Sequence, residues 1–237
     1  MQDIGNKTAL ITGGTKGIGY GIAAALMEQG MKVAITSRSQ EAAEEAAANL
    51  NQSGKGEAFG VQADVRDFGS QQKAIDQVVE KWGQLDLLVA NAGIGHFANI
   101  ADLTVDQWHE TIETNLTGVF YSIKAGLEAL KASKGFFITI SSLAGTNFFA
   151  NGSAYNASKF GVTGFTQAVM LDVRQHGIRC TTIMPGSVAT HFNDHVPSEK
   201  DAWKIQIEDI GKLVVDLMQM HPRSLPSKIE IRPSMPG

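Results

Sequence analysis

The chain has 237 residues, of which 43% are hydrophobic and 19% charged, and this length is enough to bury a substantial core. The formal net charge of −4 provides no cationic surface for nucleic acid or an anionic membrane, so neither is expected as a partner. The single cysteine, Cys180, excludes an internal disulfide and lies in an apolar run, where we expect it to be buried.

The N-terminal residues lead directly into a strand pattern, without a basic segment followed by an apolar run. No apolar run reaches the ~20 residues that span a bilayer. We therefore expect a cytoplasmic protein.

Short apolar runs alternate with amphipathic segments along the chain. The runs predict strands covered on both faces, at Lys7–Thr12, Lys32–Thr36, Ala58–Gln62, Leu85–Ala90, Phe136–Ser141, Ile178–Met184 and Ile229–Arg232. The amphipathic segments predict helices at Gly17–Gln29, Gln40–Asn51, Ser70–Trp82, Val105–Ala132, Ala154–His176 and Asp209–Met220. This alternation predicts one α/β domain over residues 1–237, a three-layer doubly wound fold (Rossmann fold) with a parallel seven-stranded sheet.

The turn after the first predicted strand carries glycines in the spacing Gly-x-x-x-Gly-x-Gly. Glycine lets the backbone approach a pyrophosphate closely, and the helix that follows presents free N–H groups to the anion. The turn predicts a dinucleotide site formed by Gly13, Thr15, Lys16, Gly17, Ile18 and Gly19. A Walker A loop is excluded, because Gly17 rather than serine or threonine follows Lys16.

The second predicted strand is followed by Ser37 and Arg38, at the place where an NAD site carries a carboxylate for the ribose. An arginine here, with Lys16 on the nearby turn, suits the 2′-phosphate of NADP(H), because guanidinium and phosphate form charge-assisted hydrogen bonds. The alternative is that Arg38 is only a solvated surface charge. We predict NADP(H) as the cofactor, with Ser37 and Arg38 among its ligands.

Two further polar or small segments follow predicted strands, at the edge where open α/β sheets bind ligands. Asp64 and Val65 follow the third strand, and Asp64 is expected to accept a hydrogen bond from the adenine amine. Asn91, Ala92 and Gly93 follow the fourth strand and would let the adenosine ribose lie against backbone. Taken singly, each segment is equally well explained as turn chemistry.

Tyr155 and Lys159 lie four residues apart on a predicted helix and therefore share one face. An ammonium about 4 Å from the phenol would contribute roughly 4 kcal/mol at an effective dielectric of about 20, which is about three pKa units. The pair predicts a tyrosine with a pKa near neutrality, able to act as a general acid or base. An ordinary exposed pair is the alternative for this spacing alone.

Ser142 ends the fifth predicted strand, and with it the chain resembles the short-chain dehydrogenase/reductase family over nearly its whole length. The resemblance is carried by Thr12–Gly19, Asn91–Gly93, Ser142, Tyr155 with Lys159, and Pro185-Gly186. The family's serine lies 13 residues before its tyrosine, and 155 − 13 = 142 selects Ser142 over Ser141. The family's active-site asparagine matches Asn115.

The resemblance implies a role for each catalytic residue. Tyr155 exchanges the proton with the substrate oxygen, Lys159 holds the nicotinamide ribose and lowers the tyrosine pKa, and Ser142 stabilises the oxygen. Asn115 positions a water next to Lys159. The nicotinamide carboxamide is expected to bind at Pro185, Gly186, Val188 and Thr190.

No metal is implied, and His191 with His195 is not a zinc site, because two histidines on a loop lack further ligands. His96, Phe97, Phe148 and Phe149 are candidates for the substrate pocket, although the two adjacent phenylalanines are equally well explained as core or subunit-contact residues. The stretch 191–207 has no clear element and predicts a loop over the substrate.

The sequence leaves three functions open. The first is an NADP(H)-dependent reductase of ketones and aldehydes, or the reverse alcohol oxidation, on a small-molecule substrate. The second is a 3-oxoacyl-[acyl-carrier-protein] or 3-oxoacyl-thioester reductase, which the C-terminal segment Ile229–Pro233 disfavours because it lacks the Val-Asp-Gly-Gly ending of many such enzymes. The third is a non-enzymatic NADP(H)-binding protein. By the same resemblance, the long helices imply a homodimer or homotetramer.

Overall fold

All strands of the computed structural model, which describes residues 2–235 except for the side chain of Ser53, belong to one parallel sheet. The strand order is β3-β2-β1-β4-β5-β6-β7. Residues 1, 236 and 237 of the predicted domain lie outside the described part. The strands are β1 Thr8–Ile11, β2 Lys32–Ser37, β3 Glu57–Gln62, β4 Leu87–Ala90, β5 Phe136–Ile140, β6 Arg179–Pro185 and β7 Lys228–Ile231.

Helices connect the strands and cover both faces of the sheet, as the alternation predicted. They are α1 Gly17–Glu28, α2 Gln40–Ser53, α3 Phe68–Trp82, α4 Val105–Ile112, α5 Gly118–Ser133, α6 Ser153–Val173 and α7 Ile207–Gln219. The chain forms a single Rossmann-like domain in three layers. No helix of the described residues combines the length and apolar character needed to cross a membrane.

Each buried strand contributes to two cores, because successive side chains of a strand point to opposite faces. In β1, Ile11 packs into the core beneath α1, α2 and α7, whereas Leu10 packs into the core beneath α3, α5 and α6. Cys180 is buried in the second core, where burial raises the pKa of its thiol to about 12. The expected buried position of Cys180 is confirmed.

Two glycines allow α1 and α7 to cross in close contact. A Cβ atom at Gly21 would lie 2.6 Å from the Ile207 carbonyl oxygen, and one at Gly211 would lie 2.5 Å from the Gly21 carbonyl oxygen. Neither distance accommodates a side chain, so only glycine permits this approach. The crossing fixes the start of α7, and with it the C-terminal end of the preceding loop.

The predicted helix Val105–Ala132 is not continuous. A π-helical segment, Glu113–Thr117, separates α4 from α5. The Thr111 hydroxyl donates to the Gln107 carbonyl one turn earlier, at 2.7 Å, and the buried Asn115 side chain bonds to residues outside the helix. The wider turn therefore coincides with an inward-facing polar residue, as π-bulges at functional sites often do.

The predicted loop 191–207 contains two short 3-10 turns, Phe192–Asp194 and Glu199–Asp201. Its end is tied to the segment after β6, because Val188 and Ile205 form a parallel bridge. The loop therefore has defined local structure where the sequence predicted none.

Candidate active site

A large cleft opens at the carboxyl edge of the sheet, where β1 and β4 lie side by side and the connections diverge to opposite faces. Its volume is about 1130 Å³, the size range expected for a large ligand site. All the residues predicted to bind a cofactor line this cleft except Gly19. The catalytic candidates Ser142, Tyr155 and Lys159 line it as well.

The turn after β1 forms one end of the cleft. Gly13 and Gly17 have φ values of 64° and 60°, which are readily accessible to glycine and rarely to other residues. Lys16 is the residue before α1, and its side chain forms no capping hydrogen bond. Because no N-cap side chain occupies them, the first N–H groups of the helix can bind an anion. Thr15 and Ile18 complete the cleft surface of the turn.

Two residues predicted as ligands help to shape this turn. The Asn91 side chain donates to the carbonyl oxygens of Thr12 and Gly13, at 2.9 and 3.0 Å. Gly19 is buried below the surface, and a Cβ atom there would lie 2.6 Å from both the Asn91 Nδ2 and the Gly13 carbonyl oxygen. Gly19 therefore permits close packing of the turn rather than contact with a ligand, a correction to the prediction.

Arg38 follows β2 and is exposed at the cleft. Among the described residues, neither Arg38 nor Lys16 forms an ion pair. Asp64 lies nearby, but its two oxygens accept from the backbone N–H, Nε and Nη2 of Arg66, with a shortest distance of 2.7 Å. Hydrogen bonds from Arg66 hold the pKa of Asp64 below its ordinary value. An adenine amine would therefore share the Asp64 carboxylate with Arg66, a partner that the sequence prediction did not include.

Tyr155 and Lys159 share the inner face of α6, but their contact differs from the prediction. The Lys159 Nζ donates to the Ile140 carbonyl oxygen at 2.9 Å and lies 5.7 Å from the centre of the Tyr155 ring. Burial raises the pKa of Tyr155, and a hydrogen bond with Ser142 opposes this effect. Burial also lowers the pKa of Lys159 to about 8. The expected lowering of the tyrosine pKa by the ammonium is wrong for this arrangement.

The two adjacent serines at the end of β5 have different surroundings. The Ser141 hydroxyl is buried and bonds to the Lys159 carbonyl oxygen at 3.0 Å and to the Thr163 hydroxyl at 2.9 Å. The Ser142 hydroxyl accepts from the Ala144 N–H at 3.1 Å and interacts with Tyr155. Ser142 is thus the serine whose hydroxyl lies beside the tyrosine.

Asn115 is buried behind the cleft and joins two of its walls. Its side-chain oxygen accepts from the Ile94 N–H at 2.8 Å, and its Nδ2 donates to the Ile94 carbonyl oxygen at 2.9 Å and to the Ser158 hydroxyl at 3.0 Å. The Ser158 hydroxyl in turn donates to the Tyr155 carbonyl oxygen at 2.8 Å. Asn115 therefore fixes the loop after β4 relative to the helix that carries Tyr155.

The segment after β6 closes the cleft on its other side. Gly186 donates from its N–H to the Ile231 carbonyl oxygen at 2.8 Å, and Val188 is held by its bridge to Ile205. A Cβ atom on Gly17 would lie 3.4 Å from the Thr190 Cβ, so this segment borders the turn after β1. Pro185, Gly186, Val188 and Thr190 all line the cleft.

Aromatic rings gather around Tyr155. His96, Phe97, Phe148 and Phe149 line the cleft, as predicted for pocket residues, and neither Phe148 nor Phe149 is a core residue. The sequence prediction missed Phe192, whose ring centre lies 5.9 Å from that of Tyr155. The available signal was an aromatic residue inside the predicted substrate loop.

The histidines of the substrate loop show no metal-site geometry. The His195 Nε2 lies 2.8 Å from an Asp201 carboxylate oxygen. Within residues 2–235, no group of three or more potential metal-ligating side chains lies close enough together to hold an ion.

Comparison with known proteins agrees with this geometry. The model of the short chain dehydrogenase family matches residues 7–201. The chain is a member of the short chain dehydrogenase family. It is therefore an oxidoreductase that acts on alcohol or ketone substrates with a nicotinamide cofactor.

Curated relatives of this dehydrogenase cover most of its length. It is 36% identical to a trans-4-hydroxycyclohexanecarboxylate dehydrogenase from Sinomonas cyclohexanicum, over 87% of this chain and 85% of the relative. It is also 35% identical to a 3-oxoacyl-[acyl-carrier-protein] reductase from a Synechocystis species, over 84% of this chain and 81% of the relative.

Solved structures share the whole fold of this dehydrogenase. An alcohol dehydrogenase from Thermococcus sibiricus, complexed with 5-hydroxy-NADP, superposes with a TM-score of 0.91 at 29% identity, over 96% of this chain and 97% of the other. A short chain dehydrogenase from Burkholderia cenocepacia in complex with NADP gives a TM-score of 0.87 at 32% identity, over 97% of this chain and 98% of the other.

Proposed function

We propose that this dehydrogenase reduces a ketone or aldehyde to an alcohol with NADPH, or catalyses the reverse reaction with NADP⁺. The observation that carries the proposal is one cleft with Tyr155 and Ser142 at one end and the unpaired cations Lys16 and Arg38 at the other. Two similar solved structures hold NADP or a derivative of it, which supports the same cofactor here.

The residues of the cleft fit an NADP(H) molecule. Gly13 and Gly17 leave no side chain between the turn and a pyrophosphate, and the start of α1 faces the same place. Arg38 and Lys16 would hold the 2′-phosphate through charge-assisted hydrogen bonds. Lys159 would hold the nicotinamide ribose, and Pro185, Gly186, Val188 and Thr190 would hold the carboxamide. The bound cofactor supplies the hydride for reduction or accepts it in oxidation.

The side chains around the reacting carbon transfer the proton and stabilise the charge that develops on the substrate oxygen. In reduction, Tyr155 donates its phenolic proton to the carbonyl oxygen as the carbon gains the hydride, so the product is a neutral alcohol. The Ser142 hydroxyl donates a hydrogen bond to the same oxygen and stabilises its developing charge. The buried amine of Lys159, whose pKa is lowered to about 8, would return a proton to the phenolate after the transfer. In the proposed site, Asn115 positions α6, which carries Tyr155 and Lys159. It also positions a water next to Lys159.

Replacing the Tyr155 hydroxyl separates catalysis from binding. Tyr155→Phe is expected to reduce kcat by about 10²- to 10⁴-fold, because the general acid is lost, while NADPH binding by fluorescence titration stays unchanged. Tyr121→Phe, on α5 outside the cleft, is the matched control and should retain kcat. Near-normal turnover of Tyr155→Phe would contradict the proposed mechanism.

A second candidate substrate is a 3-oxoacyl thioester, because one relative is named as a 3-oxoacyl-[acyl-carrier-protein] reductase. A higher kcat/KM for acetoacetyl-CoA than for simple ketones would favour it. We further propose that the loop 191–207 covers the substrate and that the protein acts as a homodimer or homotetramer.

A further inference from the structure

Three phenylalanine rings from three different loops form a cluster with the Tyr155 ring. Phe97 follows β4, Phe149 follows β5, and Phe192 follows β6. The Phe97 ring centre lies 5.3 Å from that of Tyr155, 5.8 Å from that of Phe149 and 6.5 Å from that of Phe192. These separations are those of favourable edge-on and tilted aromatic contacts. We call Phe97, Phe149 and Phe192 the aromatic cluster.

The aromatic cluster leaves apolar surface open toward the cleft. Phe97, Phe149 and Phe192 are 41%, 48% and 37% exposed, although all three contact other rings and line the cleft. Gly95 permits two of them to pack closely, because a Cβ atom there would lie within 2.9 Å of both the Phe97 and the Phe192 ring. The aromatic cluster therefore forms a partly exposed apolar surface beside the Tyr155 hydroxyl. An apolar ring of a ligand would cover such a surface.

The charged side chains around the cleft indicate a substrate without charge near Tyr155. Toward β6 and β7, the Lys204 Nζ lies 2.6 Å from an Asp201 oxygen, and the Arg232 Nη2 lies 2.9 Å from a Glu230 oxygen. Lys159 donates to a backbone carbonyl oxygen. Among the described lysines and arginines that line the cleft, only Lys16 and Arg38 lack such a partner, and both lie at the proposed 2′-phosphate end. Among the described residues near Tyr155, every lysine and arginine of the cleft already has a partner, so none is free to bind a carboxylate or phosphate of the substrate.

We infer that the substrate is an uncharged ketone, or the matching secondary alcohol, whose reacting carbon is attached to or lies in an apolar ring. The inference deepens the proposed function and rests on it. The reaction balances as ketone, NADPH and a proton giving secondary alcohol and NADP⁺. The ring packs against Phe97 and Phe192, which places the carbonyl oxygen toward Tyr155 and Ser142.

Matched ketones test the two parts of this inference. With NADPH, kcat/KM for acetophenone should exceed that for 2-butanone by about tenfold, because the phenyl ring gains contacts with Phe97 and Phe192 that an ethyl group lacks. Methyl 4-acetylbenzoate should exceed 4-acetylbenzoate by about tenfold, because a carboxylate finds no free cation and must be desolvated. Equal values within either pair, or a preference for 4-acetylbenzoate or acetoacetyl-CoA, would overturn the inference.

Variants of the aromatic cluster test where the ring binds. Phe97→Ala and Phe192→Ala should each raise KM for acetophenone about fivefold, while KM for 2-butanone changes by less than about twofold. Phe68→Ala is the control, since Phe68 is similarly exposed at 39% but packs on Tyr121 outside the cleft. Parallel increases in KM for both ketones would assign the cluster a general structural role and overturn its role in ring binding.

A binding measurement distinguishes failure of this inference from failure of the proposed function. Calorimetry of acetophenone with NADPH-loaded Tyr155→Phe should show binding that weakens when Phe97→Ala is added. If no carbonyl compound is reduced by the wild type, the proposed function fails, and this titration still decides the ring site. Absence of acetophenone binding to NADPH-loaded protein would overturn the ring site even if other carbonyl compounds are reduced.

Discussion

Lys159 shows how a single residue can depart from what its spacing suggests. The sequence correctly placed it one helical turn after Tyr155, but the direction of its amine depends on a carbonyl oxygen of β5, which is remote in sequence. Because that partner comes from the tertiary fold, no local pattern could reveal it. The lysine is buried without an ion pair among the described residues, and burial lowers its pKa to about 8.

This lowered pKa makes stability depend on pH. Between about pH 8 and the unfolded value near ~10.4, the unfolded chain binds a proton at Lys159 that the folded chain has released, so stability rises with pH in this window. Relative to Lys159→Met, the wild type should gain up to about 3 kcal/mol in the free energy of unfolding between pH 7 and pH 10.5. Urea unfolding of both proteins over this range measures the difference.

The comparison with Lys159→Met removes the other groups that titrate in the same range. The pKa values of Tyr155 and Cys180 are both raised, so their contributions fall as pH rises, but both residues are present in each protein. A difference between the two proteins that stays flat with pH would show that the lysine is not buried as an uncompensated charge.

Arg38 is the residue on which the cofactor preference depends. Hydrogen bonds to a charged group contribute about 1.5–3 kcal/mol, so Arg38→Asp should lower kcat/KM for NADPH by about ten- to a hundredfold. NADH should then be the preferred cofactor, because the new carboxylate can accept from a ribose hydroxyl and repels a phosphate. Steady-state kinetics with both cofactors measure the ratio.

Arg223→Asp makes the same charge change at an exposed position outside the cleft. The NADPH to NADH ratio should stay at the wild-type value in this control. An unchanged ratio in Arg38→Asp would identify Arg38 as a solvated surface charge.

At the scale of elements, the alternation of apolar runs and amphipathic segments predicted every strand and helix of the sheet and its two layers. The exception, the π-helical segment Glu113–Thr117, coincides with the bonds between Asn115 and Ile94. Those residues are 21 positions apart, and a helical periodicity carries no information about such a partner. The internal order of the loop 191–207 escaped prediction for the same reason.

Asp201 organises this loop. Its carboxylate accepts from the Lys204 Nζ at 2.6 Å, the His195 Nε2 at 2.8 Å and the Ser198 N–H at 2.9 Å. The hydrogen bond from Lys204, followed by those from Ser198 and His195, holds the pKa of Asp201 well below its usual range. The loop therefore gains stability from this carboxylate above the unfolded pKa near ~3.9 and loses it as pH falls through the lower folded pKa.

Removing the carboxylate should loosen the loop without unfolding the domain. Asp201→Ala is expected to speed amide hydrogen exchange across residues 195–206 and to raise KM for the ketone, because local opening becomes easier. Exchange measured by mass spectrometry localises the effect. Glu199→Ala, an exposed position in the same 3-10 turn, is the control and should exchange like the wild type. Equal exchange in both variants would show that Asp201 does not hold the loop.

For the molecule as a whole, the outward face of α6 is notable because it exposes apolar side chains that no described residue of a single chain covers. Between its exposed polar ends, Ser153 and Asp172, the exposed positions recur at helical spacing and are apolar, namely Ala157, Phe160, Gly164, Ala168 and Leu171. At Gly164, no described atom outside its chain neighbours and the backbone of its own helix lies within 4 Å of where a Cβ would be. A continuous apolar stripe on the surface of a globular protein marks an interaction site, and the small residues in its middle would allow close approach of another helix.

We expect this stripe to be covered by α6 of a second copy, since a symmetric interface brings the same patch of both subunits together. Light scattering at micromolar concentration should give two or four times the mass of one chain. Phe160→Glu combined with Leu171→Glu should give the mass of one chain, because two carboxylates would be buried without partners in each subunit. Ile100→Glu, at an exposed apolar position in the loop after β4, should keep the wild-type mass. A wild-type protein with the mass of one chain would exclude the assembly and leave the stripe exposed to solvent.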